Sequence, residues 1–458
     1  VGKQSHPAQP LHHHSCLLRL FALALLFIAA RPADPYSVQT HQQLIDLAWA
    51  PSIRPLLLKR YPNLTEKQLQ VAHAYAYGGC AIQDFGYYPF ANGFFSQLTH
   101  YVRSGDFVLA LIRNAQNADE LAFAIGSLSH YIGDTIGHGS AINRSVPLVF
   151  PQLRTRYGAV VNYAEDPHAH VRTEFAFDID QLSKRRFPPP AYTRHVGLEV
   201  PNHLLRQSFF EIYGIPLPNL IGRHNAAVRT YRFAVRRFLP DIARAETLLH
   251  KKSFPDDLPS ADLTQFTNSL LQASTENNWE MYRKSPGFTS HLYAGFIYIL
   301  PKFGALSMLA IKSPTPVTEA LYIHSVNRSV NTFHYLLDHF DTINRYTPNR
   351  DLDTGYPMKP GTYRLADETY AKLLAEVCEA PTRAIPLQVK HDILDYYANP
   401  DAKIVTKKNP QKWAVVENNL KTLANVPTTG DLDPTFAEDP DDPRNSLEAR
   451  NDAKSSTN

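Results

Sequence analysis

Beyond residue 30 the apolar positions recur at steps of three and four almost without interruption, and no run alternates convincingly with period two. Such spacing lines one face of a helix and does not suit a half-buried strand, so the chain is expected to be all-α. One helix is expected over 117–137, "NADELAFAIGSLSHYIGD" and its continuation, with Asn117 capping the free amides and Glu120 completing a capping-box pattern. A second opens at "EDPHAHVRTEFAFD", where Asp166 suits the cap and Pro167 the first helical position. Between them, 141–160, "AINRSVPLVFPQLRTRYGAV", reads as a connecting loop, and further helical stretches are expected at 219–251, 261–284, 315–340, 365–378 and 386–397. From residue 428 onward apolar content almost vanishes, which predicts a disordered tail over 428–458.

Composition adds a compartment but little else. Lys3 and Arg19 precede "LFALALLFIAA", an apolar core ending in small residues, so 1–30 is expected to be a signal peptide and the protein secreted or periplasmic. That core is too short to span a bilayer. Forty-six basic against forty-three acidic residues leave a net charge of +3, which neither demands nor forbids a nucleic-acid or membrane partner. Beyond the signal only Cys80 and Cys378 remain, so there is no disulfide framework, although one bridge is allowed. The apolar stretch 286–312 is broken by Pro301 and Lys302 and is expected to be a buried hairpin, with membrane docking as the alternative. "RTYRFAVRRF" sets Arg229, Arg232 and Arg236 along one face, expected to be solvated. The triplet Asp353-Thr354-Gly355 in "RDLDTGYP" lacks the β-rich setting of an aspartic protease and reads as a turn.

Chemistry concentrates in "SLSHYIGDTIGHGSAIN", residues 127–143, where His130, Asp134 and His138 follow one another at steps of four. A step of four advances about 40° around a helix, so these polar groups share a face on what is otherwise a core helix. His170 and Glu174 repeat the step in the next helix, and His41, Asp84 and His100 precede them. Imidazole and carboxylate one helical turn apart can grip a single zinc ion, and a carboxylate-rich set without cysteine points to open coordination positions rather than a closed structural site. His73 reads as a core residue and His168, off the face of Glu174, as an exposed or supporting one.

In this order and spacing, residues 36–180 resemble the zinc-dependent phospholipases C, which share a helical fold and a trinuclear zinc site with fungal single-strand-specific zinc nucleases. The resemblance implies a catalytic domain over 31–200, followed by a helical C-terminal region over 201–427. It implies two to three Zn2+ per chain, with Asp84, His100, His130 and Asp134 around one ion and His138, His170 and Glu174 around a second. His41 and Asp134 would serve a third, Asp134 bridging two ions, and Asp84 would also take a proton from the attacking water. Two features depart from the family: the nearest Trp, Trp49, follows His41, and "DTIGH" places three residues rather than five between Asp134 and His138. Gly137 and Gly139 are expected to let the backbone leave the helix there.

The implied reaction is hydrolysis of the glycerol-side phosphoester of a phospholipid, for which a membrane surface is one allowed setting; no specific nucleic acid is expected, and the sequence does not identify a stable protein partner. A nuclease on the same scaffold is the first alternative. Glu174 argues against it, since those nucleases close the step with Asp, and no basic stripe interleaved with aromatics is apparent. Tyr87, Tyr88 and Phe90 suit either a stacked base or a choline headgroup. A zinc-loaded module without catalysis, its cleft covered by the C-terminal half, is the second alternative.

Overall fold

A helix buried on every face sits at the centre of the molecule. The computed structural model describes residues 38–250, 254–283 and 311–430. In chain order its principal helices are α1 (Val38–Ala48), α2 (Glu66–Gly79), α3 (Gly93–Tyr101), α4 (Ser104–Asn114), α5 (Ala118–Gly137), α6 (Pro167–Ser183), α7 (Asn202–Tyr213), α8 (His224–Phe233), α9 (Leu239–His250), α10 (Ala261–Glu276), α11 (Pro316–Asp338), α12 (Arg364–Cys378), α13 (Leu387–Tyr397) and α14 (Pro410–Ala424). The strands among the described residues are the paired dipeptides Ile385–Pro386 and Thr428–Thr429, so the all-α expectation holds. None of the described helices is long and apolar enough to cross a membrane. The expected signal peptide, residues 284–310 of the apolar region and the tail beyond 430 lie outside the described residues.

The central helix is α5, packed against α1, α2, α4 and α11. An amphipathic helix needs one apolar stripe, but this one is surrounded, and its side chains from Glu120 to Asp134 are all buried. Its closest neighbour is α2, and the contact depends on a pair of glycines. A Cβ on Gly126 would run into the carbonyl oxygen of Ala76, and one on Gly79 into that of Phe123. Two backbones therefore touch where two side chains are missing. One apolar core runs from Val38 to Val426, through both the region before residue 200 and the region after it.

The caps follow the sequence closely but not in every bond. Asn117 Oδ1 accepts from the amide of Glu120 at 3.0 Å, as expected, yet the Glu120 carboxylate accepts from the amide of Gln116 at 2.8 Å, one residue outside the box. Asp166 Oδ1 accepts from the amide of Ala169 at 2.9 Å, and Pro167 opens α6. The expected loop at 141–160 is instead largely helical: a π-helical turn His138–Ile142 leads into short helices Asn143–Val149 and Pro151–Tyr157. Seven-residue helices are too short to display a period, and here they are held by burial of Ile142, Val146, Phe150 and Leu153. The arginine face is also less solvated than expected, because Arg232 pairs with Glu199 and Arg236 donates to the carbonyl of Arg194 at 2.6 Å. Cys80 and Cys378 are both free thiols, so the allowed bridge does not form.

Helix propensity alone makes Gly126→Ala stabilising by about 1 kcal/mol. The contact with Ala76 reverses the sign, and overpacking of this kind costs about 1 to 3 kcal/mol. Urea denaturation is expected to show Gly126→Ala less stable than the wild type by that margin. Gly222→Ala, where a methyl meets nothing within 4 Å, should stay within about 0.5 kcal/mol.

Candidate metal centre

All eight residues singled out in the sequence converge on one place. His41 comes from α1, Asp84 from the 3₁₀ turn Gln83–Tyr87, His100 from α3, His130 and Asp134 from α5, His138 from the π-helical turn, and His170 and Glu174 from α6. They form three groups, His41 with His130 and Asp134, Asp84 with His100 and the same His130, and His138 with His170 and Glu174. Within each group one donor atom per residue lies within 4.8 Å of the others. Asp134 stands between groups: its Oδ1 is 3.3 Å from His41 Nε2 and 3.9 Å from His138 Nε2, and its Oδ2 is 3.0 Å from His130 Nε2 and 3.4 Å from His100 Nε2. Glu174 Oε1 lies 2.8 Å from His170 Nε2 and 3.2 Å from His138 Nε2. No residue of the eight is more than 3% exposed.

The rings are oriented from behind. His100 Nδ1 lies 2.7 Å from the carbonyl of Ser96, one turn earlier in α3, His130 Nδ1 lies 3.1 Å from the carbonyl of Cys80, and His138 Nδ1 lies 3.0 Å from the carbonyl of Leu352. A carbonyl only accepts, so each Nδ1 carries the proton and donates it. In a neutral ring the Nε2 lone pair is then left facing the carboxylates. His130 Nε2 facing Asp134 Oδ2 at 3.0 Å thus sets lone pair against lone pair unless a cation or a second proton lies between them. Asp84 Oδ1, His100 Nε2, His130 Nε2, both oxygens of Asp134, both ring nitrogens of His170 and Glu174 Oε1 are buried without a hydrogen bond. Buried polar atoms in native proteins are rarely left so, and their convergence here fits divalent cations held by imidazole and carboxylate.

The acid–base balance of the side chains alone agrees. Burial opposes the charge of Asp134, but His130 and His138 outweigh it and hold the carboxyl well below the usual range. Burial would lower His100, yet the Asp134 and Asp84 carboxylates push it up to about 10. Burial lowers His170 to about 4 and raises Glu174 to about 8, the latter against the pull of His138. Without cations the cluster has to keep protons on groups that would otherwise coordinate metal, and binding a cation releases them.

Several expectations change in detail. Gly137 and Gly139 do not supply strained angles: α5 runs regularly to Gly137 and then widens into the π-helical turn, which re-aims His138. Gly139 instead makes room for a neighbouring chain, since a Cβ there would lie 3.0 Å from the carbonyl oxygen of Thr354. Trp49 is away from the metal-site imidazoles in its contacts, stacked on His73 at 3.9 Å between centroids. His73 is a core residue, its Nε2 3.1 Å from the buried Asp46, and His168 is exposed. Sequence reasoning missed the carbonyls of Ser96, Cys80 and Leu352, because a backbone acceptor leaves no residue-type signal. For Leu352 the adjacent turn triplet was the one available hint.

A helical scaffold with a buried, cysteine-free cluster of five imidazoles and three carboxylates fits a site for divalent metal ions with positions open for catalysis. Residues 40–219, under half of the chain, match the family model described as zinc dependent phospholipase C, a family of phosphodiester hydrolases. Comparison with curated proteins and with solved structures gave no match.

Asp134→Asn keeps the size of the side chain and removes the charge shared between two groups of imidazoles. The variant is expected to fold, to lose more than one zinc per chain by metal analysis and to show no measurable phosphodiesterase activity. His168→Asn should retain the wild-type metal content. His73→Asn is the weaker control, since it would leave the buried Asp46 without its imidazole partner.

Proposed function

We propose that this chain is an exported phospholipase C that hydrolyses the glycerol-side phosphoester of a phospholipid with two to three zinc ions held by His41, Asp84, His100, His130, Asp134, His138, His170 and Glu174. The position of Asp134 carries the reading: its two oxygens face different imidazoles, as a carboxylate shared by two cations requires. Zinc, when bound, supplies the charge that neutralises the phosphodiester oxygens and lowers the pKa of an attacking water towards about 7. Asp84 takes the proton of that water. Its Oδ1 is buried without a hydrogen bond and lies 3.4 Å from His100 Nε2 and 4.0 Å from His130 Nε2.

The half-buried Tyr87 lies against His100 at 6.3 Å between ring centroids, and the half-buried Tyr163 lies against His170 at 5.5 Å. We assign the approach of the phosphodiester to the part of the centre where these half-buried rings stand beside candidate ligands. Of the three aromatics weighed for a stacked base or a choline headgroup, Tyr88 is buried against Tyr231 at 5.2 Å, which leaves Tyr87 and Phe90 for either role. Export rests on the sequence of residues 1–30.

One zinc-loaded preparation assayed on a short-chain phosphatidylcholine and on single-stranded DNA separates the readings. Turnover of the phospholipid and none of the DNA is expected. Preference for DNA would sink the lipase assignment, and zinc bound without turnover of either would leave a metal-binding module.

A further inference from the structure

We infer that the turn 351–355, far beyond the family-matched segment, is a working part of the metal centre: the Leu352 carbonyl sets the tautomer and aim of His138, and Asp353 is the positioning residue that holds the turn in place. The inference rests on reading His138 as a metal ligand.

The turn is built to stay where it is. The amide of Gly355 donates to the carbonyl of Asp351 at 2.8 Å, and the amide of Thr354 donates to the Asp351 carboxylate at 3.1 Å. Gly355 has φ +74°, a left-handed conformation that favours glycine, and a Cβ there would run into the carbonyl oxygen of Thr135, next to Asp134. On the other side of the turn, the amide of Leu352 donates to the carbonyl of His100 at 3.1 Å, and Asn143 Nδ2 donates to the carbonyl of Asp353 at 2.7 Å. The turn therefore touches the backbone or side chain of three elements that carry metal-site residues or adjoin them: α3, α5 and the segment after His138.

Asp353 anchors it through its side chain. The carboxylate, 2% exposed, accepts from Tyr101 at 2.8 Å and from Tyr363, the residue that precedes α12. Held there, the turn presents the Leu352 carbonyl to His138 Nδ1 and leaves Nε2 aimed at Glu174 and Asp134. Loss of that acceptor would let a neutral ring put its proton on Nε2, where it blocks coordination. Partners of this kind, standing behind a ligand, typically change metal affinity by about 10- to 100-fold.

The test reads metal rather than turnover. Zinc per chain is measured at buffered free zinc, and the visible absorption of the cobalt-substituted protein is recorded, for the wild type, Asp353→Ala and Asp353→Asn. Asp353→Ala is expected to retain helical circular dichroism, to bind one ion per chain about 10- to 100-fold more weakly and to change the cobalt spectrum. Asp353→Asn keeps an acceptor oxygen for the tyrosines and should restore part of the affinity. If Asp353→Ala does not fold, Tyr363→Phe is read by the same two measurements, since it leaves the carboxylate and Tyr101 in place. A folded variant with wild-type zinc affinity and cobalt spectrum would overturn the inference while leaving the proposed function intact. A wild-type protein that binds no zinc would instead remove the reading of His138 on which it rests.

Discussion

The centre depends on hydrogen bonds made on the far side of each imidazole from the cluster. A histidine ring that donates Nδ1–H to a fixed carbonyl has its Nε2 lone pair aimed by the same bond, and three of the five rings are held in this way. Each acceptor lies on a rigid element: the preceding turn of α3, the end of α2 and the turn after α11. Rotation of any of these three rings would cost a buried hydrogen bond, so this part of the cluster is arranged before any ion arrives.

That arrangement explains why α5 is central. A helix carrying His130 and Asp134 at 0% exposure needs neighbours on every side to bring partners to it, and α1, α2, α4 and α11 surround it. The glycine contact between α5 and α2 is what brings the carbonyl of Cys80 within 3.1 Å of His130. Packing and ligand geometry are thus one problem here: a wider helix spacing would weaken the core and also let the imidazole turn.

The region beyond residue 219 shares in this. α11 covers α5 and the π-helical turn, and its Tyr322 hydroxyl meets Thr40, one residue before His41, at 3.0 Å. Thr40 also donates to Asp178 at 2.7 Å, tying α1 to α6. Nearby, Lys184 and Arg186 join Asp257 and Glu319 in a partly buried charge network that fastens the end of α6 to α11. The segment matched to the phospholipase C family supplies the candidate ligands, and later residues hold several of them in place.

The amino-acid sequence by itself determined the helical class, the caps at Asn117 and Asp166, and five of the eight candidate ligands, because period, cap chemistry and the four-residue step are local properties of a helix; His41, Asp84 and His100 joined them through their order along the chain. It could not show that 141–160 is helical, since those short helices are stabilised by burial rather than by their own periodicity. Nor could it show which carbonyl stands behind His138, 214 residues away from Leu352. A ligand is written in the type of its side chain, whereas a backbone acceptor is the same in every residue, so only the tertiary structure decided where each imidazole points.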